Sequence, residues 1–266
     1  MMRRSRIALI AGLLGFAFLY APILSLIIFS FNDSQLVTVW GGFSTRWYGE
    51  LLRDPQILSA AWLSLRVAFF SATIAVAVGT LAALALVRFP RFRGRPLLGA
   101  MITAPLVMPE VIIGLSLLLL FVSLQGLTGW PGQRGMLTII TAHATFGAAY
   151  ATVVIQSRLA GMDDALEEAA RDLGAGPARV FFDVTLPVIA PALLSGWLLA
   201  FTLSLDDLVV ASFVSGPGAS TLPMVIFSKV RLGVSPDVNA LATLMIAAVA
   251  VGVLAVALIS ARSGRR

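Results

Sequence analysis

Three groups of residues in this 266-residue chain have the types and spacing to do chemistry. The first is Glu110, the one ionisable residue in a stretch from about Leu97 to Leu124. It follows Pro109, and Pro105 stands about one turn before it. A carboxylate set in apolar chain has to face protein or water, because its charge is costly anywhere else. The two prolines withhold helix hydrogen bonds and free nearby carbonyls, which adds acceptors for a cation. The competing reading is a structural hydrogen bond at a kink. The second group is Asp206 and Asp207, which end an apolar stretch that starts after Pro187 and precede another. Adjacent carboxylates suit a compact ammonium group. Helical geometry turns neighbours about 100° apart, so one of the two faces any common path. Either they cap a span at its outer end or they lie within a longer, locally broken helix. A polar cap with an arginine partner is the inert alternative. The third group is acidic: Asp163, Asp164, Glu167, Glu168, Asp172 and Asp183 cluster between Arg158 and Pro187. His143, the only histidine, has no second metal ligand at helical spacing and reads as a hydrogen-bonded interior residue without a role. There is no cysteine, hence no thiolate metal site and no cysteine nucleophile.

The elements that must position these residues follow from composition. Hydrophobic residues make up 59% of the chain and charged residues 12%, with a mean hydropathy of +0.95. A soluble domain carries about twice that share of charge. A chain of this size cannot bury so much apolar surface in its own core, so the bilayer is its solvent. Lipid leaves backbone groups to be satisfied within the segment, and period-2 alternation is absent, so the spans are helices. Charge-free stretches predict six of them, at about 7–31, 60–87, 97–124, 135–157, 189–213 and 238–259, in an all-α integral membrane protein with one transmembrane domain over 1–266. The first stretch follows Arg3, Arg4 and Arg6 and is about twice as long as the apolar region of a cleaved signal, so it reads as a retained helix. A seventh candidate, 208–228, holds Gly216, Pro217, Gly218 and Pro223 and should break.

Six spans put Arg3, Arg4, Arg6, Arg88, Arg91, Arg93, Arg95, Arg262, Arg265 and Arg266 on one side, which makes both termini cytoplasmic. The net charge of +6 is thus a topology signal and not a nucleic-acid footprint. Trp40, Trp47, Tyr48, Trp62 and Trp130 fall in or beside outer segments and read as interface anchors. Ala75, Gly79 and Ala83 on the second span, and Ala248 and Gly252 on the sixth, form small-residue faces that let helices approach closely.

The segment 158–187 differs from the other inside loops, which are short and basic. It reads RLAGMDDALEEAARDLGAGPARVFFDVTLP. The pattern predicts a short helix from Asp163 to Leu173, a turn at Gly174 and Gly176, and a second helical stretch opened by Pro177 and leading to Pro187. Glu168-Ala169-Ala170, three residues, Gly174, nine residues, Val184, one residue, Leu186-Pro187 resembles the EAA signature of bacterial ABC importer permeases. FNDSQLVTVWGGFSTRWYGEL from Phe31, TAPLVMPEVIIGLSLLLLF from Thr103 and LAFTLSLDDLVVASFVSGPG from Leu199 look like the polyamine branch of that family. Putrescine importers match most closely, and spermidine permeases share much of the pattern. The resemblance covers nearly the whole chain.

It implies a type I ABC importer permease fold in the bacterial inner membrane. It also implies that 158–187 holds the coupling helix, which docks in a groove of a cytoplasmic ATPase. Asp163, Glu167, Glu168, Ala169, Ala170, Gly174, Leu186 and Pro187 would be the coupling residues. Glu110 with Asp206 or Asp207 would line the path of a cationic substrate. The implied partners are a second, different permease, two copies of the ATPase, a periplasmic polyamine-binding protein and membrane lipid, with no nucleic acid. ATP and magnesium would sit on the ATPase, and this chain would hold no cofactor.

Other classes fit less well. No G-x-x-x-x-G-K-[ST] loop is present, so the chain does not hydrolyse ATP alone. An intramembrane hydrolase needs a serine–histidine or paired-aspartate arrangement within the spans, for which Ser215-Gly216 and His143 are the only raw material. An ion-driven secondary carrier of a small cationic solute is the nearer alternative, but such carriers tend to show internal repeats, and none is visible here.

Overall fold

The computed structural model describes residues 2–36, 39–89, 91–232 and 236–263, with side chains for 9, 11–36, 39–89, 91–231, 236–247 and 250–251. Their regular structure is helical, and the only β pairing among them is an isolated bridge between Asn32 and Phe43. The helices are α1 (Met2–Phe29), α2 (Arg46–Leu51), α3 (Pro55–Arg88), α4 (Arg95–Val107), α5 (Glu110–Thr128), α6 (Met136–Ala160), α7 (Ala165–Asp172), α8 (Pro177–Val180), α9 (Leu186–Asp206), α10 (Val209–Val214), α11 (Leu222–Leu232) and α12 (Pro236–Ser263). Five stretches are long and apolar enough to cross a bilayer: Ala11–Phe29, Pro55–Arg88, Glu110–Thr128, Met136–Ala160 and Pro177–Asp206. α12 covers the sixth expected stretch. The small-residue face expected there, Ala248 and Gly252, lies outside the residues whose side chains are described.

Two boundaries differ from the sequence reading. The third stretch is two helices, because Met108 is extended and Pro109 cannot continue the hydrogen-bond ladder, so α4 stops at Val107 and α5 starts at Glu110. The fifth begins inside the coupling loop and is interrupted after Asp206, where Asp207 is extended and α10 restarts the helix at Val209. A π-helical turn, Phe181–Thr185, joins α8 directly to α9. Pro187 therefore lies inside a continuous rod instead of ending a helix. The wider π turn gives its ring room where an α-helical carbonyl would clash.

The chain divides into two compact units, 1–58 with 225–266, and 59–224. In the first, α12 packs on α1 and α2. Its segment 30–48 is built around Asn32, which is fully buried. The Asn32 amide donates to the Val39 and Leu36 carbonyls at 2.7 and 3.3 Å and accepts from the Gly41 and Ser34 amides at 2.8 and 3.2 Å. Trp47 is a core residue of this unit, 7% exposed, with its indole donating to the Asn32 carbonyl at 2.6 Å. It is not the interface anchor its type suggested. Trp40, Trp62 and Trp130 are exposed.

The second unit is centred on α6. Gly79 of α3 meets α6 so closely that an added Cβ would stand 3.0 Å from the Thr152 nitrogen. Gly147 on α6 lies between Ala75 of α3 and Ala200 of α9, and Gly196 of α9 lies on Ala151. Ala75 and Ala83 are fully buried. The small-residue face of the second span is thus the surface on which α3 and α6 meet.

Candidate functional site

The first candidate region is the segment 158–187. α7 begins after Asp163, whose carboxylate accepts from the Ala165 amide at 3.0 Å. It ends in a Schellman cap: the Gly174 amide donates to the Arg171 carbonyl and the Ala175 amide to the Ala170 carbonyl. Gly174 has φ +84°, a left-handed conformation that any Cβ would strain. Pro177 then opens α8 at its first turn. The outward surface carries Asp163, Glu168, Ala169 and the half-buried Ala170, with Leu173 90% exposed. Leu186 is half-buried, and Pro187 is exposed.

Glu167 is different: it points inward and is 6% exposed. Its carboxylate accepts from the Arg88 guanidinium at 2.7 Å, from the Thr185 hydroxyl at 2.7 Å and from Arg171 at 3.2 Å. Arg88 also pairs with Asp164. Arg88 ends α3, so this cluster ties α7 to α3 and to the π turn before α9. The sequence reading grouped Glu167 with residues of a docking surface; a buried carboxylate with three donors is instead an internal brace. Arg88 looked like a topology charge, and its structural partner was invisible because 79 residues separate it from Glu167.

The second region lies at two helix breaks. Glu110 opens α5 just after the α4–α5 interruption, and Asp206 is the last residue of α9. α5 and α10 are neighbours. An added Cβ on Gly114 would overlap the Phe213 ring, so the bare backbone of α5 at Gly114 is what lets that ring of α10 pack against it. A cavity of about 280 Å³ brings the breaks together, lined by Pro105, Glu110, Phe146, Tyr150, Asp206 and Asp207 among others. Two exposed carboxylates, a phenol and a phenyl ring on one cavity offer charge, hydrogen bonds and π faces to an organic cation.

The two aspartates divide. Asp206 is exposed to the cavity, whereas Asp207 is buried and extended, φ −67° and ψ 124°. The Asp207 carboxylate accepts the Val210 and Ala211 amides at 3.2 and 2.7 Å, capping α10, and meets His143 Nε2 at 3.1 Å. So these residues lie at a local break, and the partner of the structural aspartate is histidine where an arginine was considered. His143 Nδ1 meets the Ser204 hydroxyl at 2.6 Å, and Ser204 meets Ser71 of α3 at 3.2 Å. Sequence reasoning gave His143 no role, since Ser204 and Asp207 lie more than 60 residues away. The serine–histidine–aspartate sequence is not an active site: all three groups are buried, and the histidine side chain has no exposure. Among the described residues no cluster of three metal-ligating side chains occurs.

A multi-helix membrane chain with a helix–turn–helix loop braced to its core is the frame of a transport permease. The chain belongs to the family of binding-protein-dependent transport system inner membrane components, whose profile matches residues 75–266. Membership makes it an inner-membrane transport component and not an enzyme. It is 64% identical over 248 residues to the putrescine transport system permease protein PotI of Escherichia coli (strain K12), covering 93% of this chain and 88% of that protein. It is 44% identical over 245 residues to the spermidine/putrescine transport system permease protein PotC of the same strain, covering 92% and 90%. A chain of a bacterial ABC transporter involved in the import of the acidic polysaccharide alginate shares the fold, with a TM-score of 0.73, 18% identity and 98% and 97% coverage.

Proposed function

We propose that this chain is a permease subunit of an ATP-driven importer of putrescine, with spermidine as the neighbouring substrate. In this reading it spans the membrane six times as one permease domain, with both termini cytoplasmic. It pairs with a different permease, and two ATPases grip the 158–187 loops while holding ATP and magnesium themselves. A periplasmic polyamine-binding protein delivers substrate. The observation that carries the substrate class is the cavity at the two helix breaks, where Glu110 and Asp206 present carboxylates beside Tyr150 and Phe146. A diamine carries two compact ammonium groups separated by methylenes, and that lining supplies acceptors for the first and aromatic surface for the second. The coupling surface is Asp163, Glu168, Ala169, Ala170 and the turn at Gly174, with Leu186 and Pro187 at the start of α9.

The test is uptake by the reconstituted complex. Glu110→Gln and Asp206→Asn each remove a charge-assisted hydrogen bond of about 1.5–3 kcal/mol, which is about a 10- to 100-fold rise in KM for putrescine. Wild-type KM in both variants refutes the path. A cysteine at Glu168 or Ala169 should cross-link to the ATPase. Uptake that persists without ATP would instead favour an ion-driven carrier.

A further inference from the structure

The buried chain of polar groups behind the cavity asks why a permease keeps its single histidine in an apolar interior. His143 lies on α6 and touches both sides of the interruption: Ser204, two residues before the end of α9, and Asp207, the first residue beyond it. A carboxylate can only accept, so His143 donates from Nε2 to Asp207. Nδ1 and the Ser204 hydroxyl share the second bond, and Ser204 also accepts from Ser71. Asp207 is left with three donors, His143 and the Val210 and Ala211 amides, which occupy three of the four lone-pair sites of a buried carboxylate. Asp206, the residue before it, makes none of these three bonds and stands on the cavity. Phe146, one turn along α6, lines that cavity and packs against the imidazole with ring centres 5.4 Å apart.

We infer that His143 is a positioning residue for the substrate path: its Nε2 hydrogen bond to Asp207 holds the α9–α10 break in the geometry that turns Asp206 into the cavity shared with Glu110. The inference rests on the proposed path and adds a requirement to it. Backbone direction at an interrupted helix is soft, and one peptide of rotation moves a neighbouring side chain by about 100°. Anchoring Asp207 to α6 fixes that rotation. Ser204 alone could not, since it belongs to α9 and moves with it.

Glutamine and asparagine separate the two ring nitrogens. Glutamine places its amide nitrogen near the Nε2 position, and asparagine near Nδ1. In the reconstituted complex, His143→Gln should keep KM for putrescine within about twofold of wild type, while His143→Asn should raise it about tenfold, both with assembly and ATP hydrolysis retained. Adding Asp206→Asn to His143→Asn should then cost little more, because the carboxylate is already misplaced. A direct readout uses the absence of native cysteine. Asp206→Cys should react with a cationic thiol reagent at similar rates alone and with His143→Gln, and several-fold more slowly with His143→Asn. Equal labelling and equal KM in the glutamine and asparagine variants overturn the inference while leaving the path intact. If Asp206→Asn alone leaves KM unchanged, the path fails and the inference falls with it.

Discussion

Replacing Glu167 with alanine should separate ATP hydrolysis from transport. The Glu167 side chain is 8% exposed and accepts from Arg88, Thr185 and Arg171. Removing one partner of a buried ion pair costs about 3–5 kcal/mol, because the remaining charge is left without compensation. Three details set the value here. Arg88 keeps Asp164, but that carboxylate is 73% exposed and worth at most about 1 kcal/mol to it. The Arg88 Nε is already buried without a partner, so the guanidinium has little to spare. Thr185 retains a long bond to the Val180 carbonyl at 3.4 Å, and Arg171 is exposed and loses almost nothing. The expected loss is therefore about 3 kcal/mol for Glu167→Ala. It should be about 2 kcal/mol for Glu167→Gln, which keeps an acceptor for Thr185 and gives up only the charge. Since the brace joins α7 to α3 and α9, the loss falls on the connection and leaves the ATP site alone. The assay measures putrescine uptake and phosphate release together in proteoliposomes, with denaturant unfolding in detergent alongside. Stability should fall by the stated amounts, and uptake per ATP should fall severalfold while ATP hydrolysis continues. Wild-type stability and an unchanged transport ratio in Glu167→Ala would show that the cluster is decorative.

Two other outcomes are open to measurement. Gly216→Ala should destabilise the chain by about 1–3 kcal/mol. Its Cβ would fall 2.0 Å from the Arg134 carbonyl oxygen, a backbone atom with no rotamer by which to move away, so thermal unfolding should shift clearly downward. The acid limb of stability should depend on Lys229, which bridges Asp54 at 3.1 Å and Asp237 at 2.7 Å. Burial alone would raise the Asp54 carboxyl. The Lys229 ammonium and the Ile57 and Gln56 amides outweigh it and hold the group below its usual range. For Lys229, burial pushes the pKa down but Asp237 and Asp54 outweigh it, so the ammonium is held above its usual value. Stability from Asp54 is thus complete above the ordinary aspartate range near pH 4 and is lost as pH falls through its lowered pKa. Stability from Lys229 is complete below about pH 10 and is lost as pH rises through its elevated pKa. Unfolding midpoints of wild type and Lys229→Met, followed from pH 7 toward pH 3, should converge; parallel curves would contradict the pairing.

What the sequence made legible were features with local causes. Uncharged stretches placed the long helices, because lipid forces each segment to satisfy its own backbone. The turn at Gly174 was readable from glycine and proline spacing, and the Ala75–Gly79–Ala83 face from a four-residue period. What stayed hidden depended on partners distant in the chain. The Arg88–Glu167 brace and the His143–Asp207 bond join elements that periodicity cannot pair. Asp206 and Asp207 look alike as letters, and only the α10 amides and an imidazole from α6 tell the cavity-facing carboxylate from the capping one. Trp47 misled because its type suits a headgroup layer equally well, and nothing local reveals that the Asn32 carbonyl is waiting for its indole. Pro187 misled in a similar way: a proline commonly ends a helix, and the π turn that accommodates it has no sequence mark.

The glycines at 79, 147 and 196 bear on how force travels. At these three points α3, α6 and α9 meet with at most a methyl group between backbones, which leaves little room to slide. A push applied at the Arg88 end of α3 thus meets neighbours that have to move with it at those points. The helix interruptions beside Glu110 and Asp206 are where the described bundle has backbone free of a hydrogen-bond ladder to bend.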